Sequence, residues 1–297
     1  MYLVRIWTTV SLLAASMPLA ASEAPATSLA HIGKWEINYD VDSCHLYGQF
    51  RTGADAVILT ISQMQPGDSF EIKLIGQMFK GSPVETPIQL AFGAGAKMAT
   101  YQGLSMIAGE SKKLAVVSIT RLRIDGSIAL PGVKQLQPEA MPEIEAMVTS
   151  ITFKPHGGER YRLETGSMAK PMAALRACTT DLVQTWGYDP QIQAQLSKSA
   201  TPIGNPGTWL TSVDFPKRSL SQGQSGQVDF RLDVDASGQI SGCRVLYRTN
   251  PDDFSDLTCK LLQKRAKMMP ALDVQGHPVK SYYVNRVVWL TPSTPGF

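Results

Sequence analysis

The segment formed by residues 226–235 constrains the fold of this chain more than any other stretch. Apolar and polar side chains alternate there, and the apolar set is Val228, Phe230, Leu232 and Val234. A period of two places the two sets on opposite faces of an extended backbone. The segment is therefore predicted to be a half-buried β-strand, followed by a turn at residues 236–238.

The residues after this strand continue as a compact unit. We predict a second strand over residues 239–247, a helix over 254–268 and a last apolar strand over 281–290. Pro270 ends the helical pattern, because proline lacks the backbone N–H that a helix interior requires. The C-terminal quarter is thus predicted to fold as a hairpin, a helix and a closing strand.

This region resembles the C-terminal domain of the TonB family. The residues that carry the resemblance are Phe215-Pro216-Lys217, Gly226-Gln227-Val228, the turn from Asp235 to Gly238, the run 264–271, Asp273, Gly276, Pro278 and Val279. The resemblance implies an antiparallel three-stranded sheet with two helices over residues 208–292. It also implies that the domain binds an extended segment of an outer-membrane receptor as an added strand. Tyr283, Asn285 and Val287 on the last strand would then select the partner.

The N-terminal part is predicted to be a separate, mainly antiparallel β domain over residues 30–197, so the fold class is α+β. At 297 residues the chain is long enough for two cores. Strands are expected over 56–62, 69–75, 86–92 and 114–124, with Trp35, Ile37 and Tyr39 alternating on an earlier one. A short helix is expected over 142–149 and a longer helix, packed on the sheet, over 171–186. The strands are expected to form a mainly antiparallel sheet or a small sandwich.

Residues 198–207 are predicted to link the two domains. Two prolines and two glycines lie in the run 201–207, a composition that continues neither a helix nor a strand. The linker is short and lacks the long proline-rich spacer of a TonB energy transducer.

The N-terminus is predicted to be a cleaved signal peptide over residues 1–22. Arg5 precedes an apolar run of about 14 residues, whereas a spanning helix needs about 20. Residues 23–30, rich in small residues, are expected to be mobile. A periplasmic location follows, without a stable membrane span after processing. An uncleaved anchor is the alternative.

The four cysteines are consistent with an oxidising compartment. Four cysteines allow three connectivities, and position favours Cys243 with Cys259 and Cys44 with Cys178. The first bridge would tie a strand to a helix and close a loop of about 16 residues, which stabilises by about 3 kcal/mol.

No motif predicts a catalytic residue, a metal site or a cofactor. Residues 233–238 imitate half of a calcium loop, but Arg244 stands where the twelfth-position glutamate belongs, so a hairpin turn is predicted. Ser167 and Lys170 match the spacing S-x-x-K, but the K-[ST]-G element that should accompany it is absent. Ser167 is expected to cap the following helix or to lie in the loop before it. A net charge of +3 gives no reason to expect nucleic acid as a partner.

The predicted function is non-enzymatic protein binding in the periplasm, with an outer-membrane receptor segment as a possible partner. Two alternatives stay open. One is a TonB-type energy transducer that keeps its N-terminal anchor, and the other is an exported enzyme whose site lies in the N-terminal domain.

Overall fold

The computed structural model describes residues 25–108, 114–129, 140–249 and 252–291. The predicted signal peptide lies outside these ranges, as do residues 23 and 24. Within the described residues, no helix has the length and apolar character needed to cross a membrane.

The N-terminal unit is a closed β-barrel. Its strands are β1 (Thr27–Tyr39), β2 (Cys44–Thr52), β3 (Asp55–Gln63), β4 (Ser69–Gly76), β5 (Glu85–Phe92), β6 (Ala99–Ala108), β7 (Leu114–Arg123), β8 (Ile151–Lys154) and β9 (Tyr161–Glu164). They are hydrogen-bonded in the order β1-β2-β3-β4-β7-β6-β5-β8-β9, and β1 closes the ring by pairing in parallel with β9. The α+β class and the antiparallel N-terminal sheet are confirmed.

The predicted antiparallel sheet closes into a barrel and does not form a small sandwich. β1 begins at Thr27, inside the stretch predicted to be mobile, and residues Thr27 to Ala30 are the ones that pair with β9. Leu29 is fully buried there. The prediction of a mobile segment is therefore wrong for these residues, because their small and polar composition hides a strand whose partner is about 130 residues away in the sequence.

Helices cover the barrel and lead towards the second unit. They are α1 (Met141–Met147), α2 (Ala169–Thr185) and α3 (Pro190–Ala194). The buried stripe of α2 includes Met172, Leu175, Leu182 and Val183. Cys178 on the same helix forms a disulfide with Cys44 at the start of β2, with the two Cα atoms 6.0 Å apart. The predicted bridge is present and fixes α2 to the barrel wall.

The C-terminal unit is built on a three-stranded antiparallel sheet. Its main elements are α4 (Lys217–Ser221), β11 (Gly226–Val234), β12 (Ile240–Arg248), α5 (Asp253–Arg265) and β16 (Ser281–Trp289). The strand order is β12-β11-β16, so the alternating strand lies in the centre. Phe230, Leu232 and Val234 form a buried cluster with Trp209 and Leu262, and Val228 lies in a neighbouring cluster with Phe254 and Trp289. Cys243 on β12 is bonded to Cys259 on α5, as predicted.

The predicted linker packs against the C-terminal unit. β10 (Thr201–Pro202) pairs with β13 (Met268–Met269), and β14 (Ala271–Leu272) pairs with β15 (Pro278–Val279). A further bridge joins Lys198 to Leu272. The segment is therefore held along the second unit and does not act as a free spacer.

Candidate functional site: the free edge of the C-terminal sheet

β16 is an edge strand with a regular backbone. Its pairing with β11 runs without interruption from Gly226 opposite Trp289 to Val234 opposite Ser281. Among the described residues, no strand lies on its other side. Every second residue of an antiparallel strand directs its N–H and C=O away from its single neighbour, so β16 presents a row of groups suited to another strand.

The opposite edge, β12, is a poorer template for strand addition. Its pairing with β11 shifts register between Asp229 and Phe230 and again between Asp233 and Val234. Such irregularities twist an edge and break the even spacing of its hydrogen-bonding groups. The side chains of Arg244 and Arg248 on β12 are also 52% and 43% exposed. Charged side chains on an edge oppose pairing with another strand.

The residues predicted to select the partner share one face of β16. Tyr283, Asn285 and Val287 lie opposite Leu232, Phe230 and Val228 on β11. This face is directed towards the core under α5, and all three side chains are half-buried. The Asn285 amide donates a hydrogen bond to the Tyr283 hydroxyl, which orders both groups beneath the strand. Their role in choosing a partner stays a prediction.

An apolar recess lies at the C-terminal end of this edge. Its volume is about 340 Å³ and its lining includes Leu210, Phe215, Leu220, Val287, Val288 and Trp289. Among the described residues, no charged side chain lines the recess, and Leu220 and Val288 are 46% and 42% exposed. The recess can hold one or two large side chains. Pockets of this kind select the side chains of a strand that adds to a sheet edge.

No local pattern in the sequence indicates the recess. Val287 was predicted to be a site residue, and Phe215 was recognised only as part of the family motif. Leu210 and Leu220 lie in short segments that lack the periodicity of a strand or a long helix. A cluster of apolar residues before the first strand of the unit was the only available indication.

The second face of β16 and β11 is packed against the barrel. Gln227, Asp229 and Arg231 retain only 6%, 3% and 6% of their exposure. The alternating strand is thus buried on both faces, not half-buried as predicted. Its polar side chains offset part of the cost of desolvation because they form hydrogen bonds and ion pairs within the sheet: Gln227 with Asp229, Asp229 with Arg286, and Arg231 with Asp233.

An ion triad lies at the centre of this interface. The Arg286 guanidinium on β16 donates to Asp229 Oδ2 at 3.1 Å and to Glu71 Oε2 of the barrel strand β4 at 3.1 Å. Burial favours the neutral form of Glu71 and so acts to raise its pKa. The Arg286 and Lys73 cations and two hydrogen bonds outweigh this effect, and the pKa of Glu71 is lowered. Burial raises the pKa of Asp229 despite the neighbouring Arg286. Desolvation opposes the charge of Arg286, yet the two carboxylates raise its pKa.

A second cluster joins the end of α2 to the start of β16. The Tyr188 hydroxyl donates to Asp233 Oδ1 at 2.8 Å, with the Ser281 carbonyl oxygen at 3.1 Å. Arg231 lies over the Trp186 ring at 4.5 Å and pairs with Asp233 at 2.9 Å. Burial raises the pKa of Tyr188, and the Asp233 carboxylate reinforces the shift. These contacts cover the first residues of the edge and leave its later part beside the recess.

The remaining candidates from the sequence have structural roles. Asp235 Oδ1 accepts hydrogen bonds from the backbone N–H groups of Ser237 at 2.8 Å and Gln239 at 2.9 Å, which is the geometry of a turn. The backbone N–H of Ala169 lies 3.4 Å from Ser167 Oγ at the start of α2. In the described part of the chain, no group of three or more His, Cys, Asp or Glu side chains is arranged to hold a metal ion.

A small antiparallel sheet backed by a helix, with a regular free edge and an adjacent apolar recess, defines a protein-interaction fold. Residues 211–290 match the family model described as Gram-negative bacterial TonB protein C-terminal. The resemblance to the TonB family is confirmed for these residues, which are well under half of the chain. No curated protein matches the chain.

Proposed function

We propose that this protein is a soluble, non-enzymatic binding protein of the periplasm. In this proposal the C-terminal domain binds an extended segment of an outer-membrane protein, which adds to β16 as a fourth strand. The observation that carries the proposal is the uninterrupted nine-residue edge of β16 with an apolar recess beside it. The family match over residues 211–290 and the two disulfides support the partner class and the oxidising compartment.

The position of the recess supports one mode of binding. An added strand would satisfy the outward backbone groups of residues 284–289 and place an apolar side chain beside Val287 and Val288. Backbone pairing supplies affinity that depends little on sequence, and the recess supplies selectivity. Because the start of β16 is covered by Tyr188, the incoming segment is expected to pair mainly with the later residues of the strand.

Photo-crosslinking in a Gram-negative host with its outer membrane intact tests this mode of binding. A benzophenone amino acid replaces Val288, whose side chain is 42% exposed at the edge, or Val274, which is 60% exposed in the turn between β14 and β15. We expect the probe at position 288 to crosslink to a periplasm-facing segment of an outer-membrane protein and the probe at 274 not to do so. Equal labelling from both positions would contradict binding at the β16 edge.

The mass of the mature protein, measured without reductant, tests the compartment. We expect a chain shortened at its N-terminus that carries two disulfides. A full-length mass in the inner-membrane fraction would contradict the soluble form and favour an anchored transducer. Four free thiols would contradict the periplasmic location.

A further inference from the structure

A cavity on the barrel shares no lining residue with the β16 recess. It has a volume of about 460 Å³ and lies between β1, β2 and the first turns of α2. The pairing of β1 with β2 shifts register between Ile32 and Glu36, and Gly33 within this irregularity has a φ of 78°. A bulge bends a strand and redirects its side chains, which here opens the barrel wall towards α2.

Aromatic rings form one wall of this cavity. The His31 and Trp35 ring centroids are 5.1 Å apart, and both rings pack on Phe50. The Trp35 indole N–H donates to the Thr165 carbonyl oxygen at 3.2 Å, which fixes the orientation of the ring. Ile37 and Leu46 complete the apolar surface of the cavity. This wall suits a flat apolar group, because aromatic faces attract each other in offset or tilted arrangements.

The cavity is rigid because a disulfide joins two of its walls. Leu46 lies on β2 and Ala174 on α2, and both line the cavity. The Cys44–Cys178 bridge connects the same two elements two and four residues away from them. A site with fixed walls loses little conformational entropy when a ligand enters.

The polar groups around the opening favour an anion. Lys34 and Lys170 line the cavity and are exposed. Among the described residues, no acidic side chain lines the cavity and none forms an ion pair with either lysine. The N-terminus of α2 lies beside Lys170 and adds partial positive charge. His31 Nε2 is buried and has no hydrogen-bond partner among the described residues. Burial also lowers the pKa of His31, which favours the neutral ring in the wall of the cavity.

We propose that this cavity binds an organic anion with a flat apolar body. The body packs against Trp35 and His31, and the anionic group lies between Lys34 and Lys170 at the start of α2. The cavity combines an apolar aromatic wall with two lysines at its opening. The combination selects a ligand that carries both, such as an aromatic carboxylate.

Isothermal titration of the mature protein with naphthalene-2-carboxylate tests this inference. Naphthalene-2-carboxamide has the same ring without the charge, and inorganic phosphate has the charge without the ring. We expect saturable binding of the carboxylate. The affinities for the carboxamide and for phosphate should each be at least tenfold lower. Binding of the carboxylate should weaken as salt rises, because the lysines are exposed. Equal affinity for carboxylate and carboxamide, or no saturable binding, would overturn the proposal.

Variants assign the binding to this cavity. The double variant Lys34→Gln, Lys170→Gln should lower the affinity for the carboxylate about tenfold, since two exposed ionic contacts are removed. Its affinity for the carboxamide should be unchanged. The matched control, Lys260→Gln with Lys264→Gln on α5, should change neither. Trp35→Leu should weaken both ligands. If the control pair weakened the carboxylate as much as the cavity pair, binding would be a general effect of surface charge and the proposal would fail.

Discussion

Replacing Arg286 with methionine removes the cation between two buried carboxylates. The side chains of Glu71 and Asp229 are 6% and 4% exposed, and that of Arg286 is 19% exposed. Loss of one partner from a buried ion pair costs about 3–5 kcal/mol of unfolding free energy, because the remaining charge is left without compensation. Glu71 keeps Lys73 at 3.8 Å and Asp229 keeps the Gln227 amide at 2.9 Å. The expected loss is therefore near the lower limit, about 3 kcal/mol at pH 7.

The loss should depend on pH in a defined direction. In the wild type, the lowered pKa of Glu71 contributes stability above its unfolded value of 4.5, and this stability is lost as the pH falls through the folded pKa. Without Arg286 the pKa of Glu71 is expected to rise above its unfolded value, and the pKa of Asp229, which is already raised in the wild type, is expected to rise further. The folded variant then binds protons more readily than the unfolded chain, so its deficit relative to the wild type should shrink between pH 7 and about pH 5.

Urea unfolding of the mature protein, followed by circular dichroism at both pH values, measures this deficit. Arg244→Met is the matched control, because Arg244 is 52% exposed in its ion pair with Asp42. This substitution should lower the free energy of unfolding by less than about 1 kcal/mol. Adding Glu71→Gln and Asp229→Asn to Arg286→Met should recover most of the loss, because no charge remains stranded. A deficit below about 1 kcal/mol, or a triple variant as unstable as Arg286→Met alone, would refute the reasoning.

Two further perturbations test the C-terminal unit. Replacing Cys243 and Cys259 with serine opens a loop with a sequence separation of 16 and should cost about 3 kcal/mol, measured as a lower urea midpoint without reductant, so that the Cys44–Cys178 bridge stays intact in both proteins. Gly238→Ala should lower the melting temperature more than Gly276→Ala does. Both glycines have positive φ values, 86° and 83°, but only at 238 would the added Cβ collide with the Met268 carbonyl oxygen. Equal shifts in melting temperature would contradict that contact.

The C-terminal unit could be predicted from its sequence because its elements carry local signals. Alternation identified β11, turn residues separated it from β12, and Pro270 marked the end of the α5 region. The predicted helix over 254–268 ends three residues late, since Ala266 already has an extended backbone. In the N-terminal unit, the four strands predicted over 56–124 were found, but β8 and β9 are four residues each and too short to show a period. Barrel closure depends on these two strands and on β1, so it could not be predicted.

The interface between the two units was missed for a different reason. A strand whose polar face meets water has the same alternation as one whose polar face meets ion-pair partners. Asp229 and Arg231 therefore gave no sign that Glu71 and Trp186 of the first unit lie against them. The recess beside β16 was missed because Leu210 and Leu220 are brought to Val288 only by the tertiary fold.

The burial of both faces explains how β16 can remain an ordered edge. An edge strand with one solvated face is held only by its neighbour and by one core. β16 packs through Tyr283 and Val287 on the core under α5 and through Tyr282 and Arg286 on the barrel side. A strand fixed on both faces before a partner arrives loses little further entropy on binding, so more of the backbone hydrogen-bond energy is retained as affinity. The barrel thus contributes to recognition by holding the edge in place, even where it makes no contact with the incoming segment.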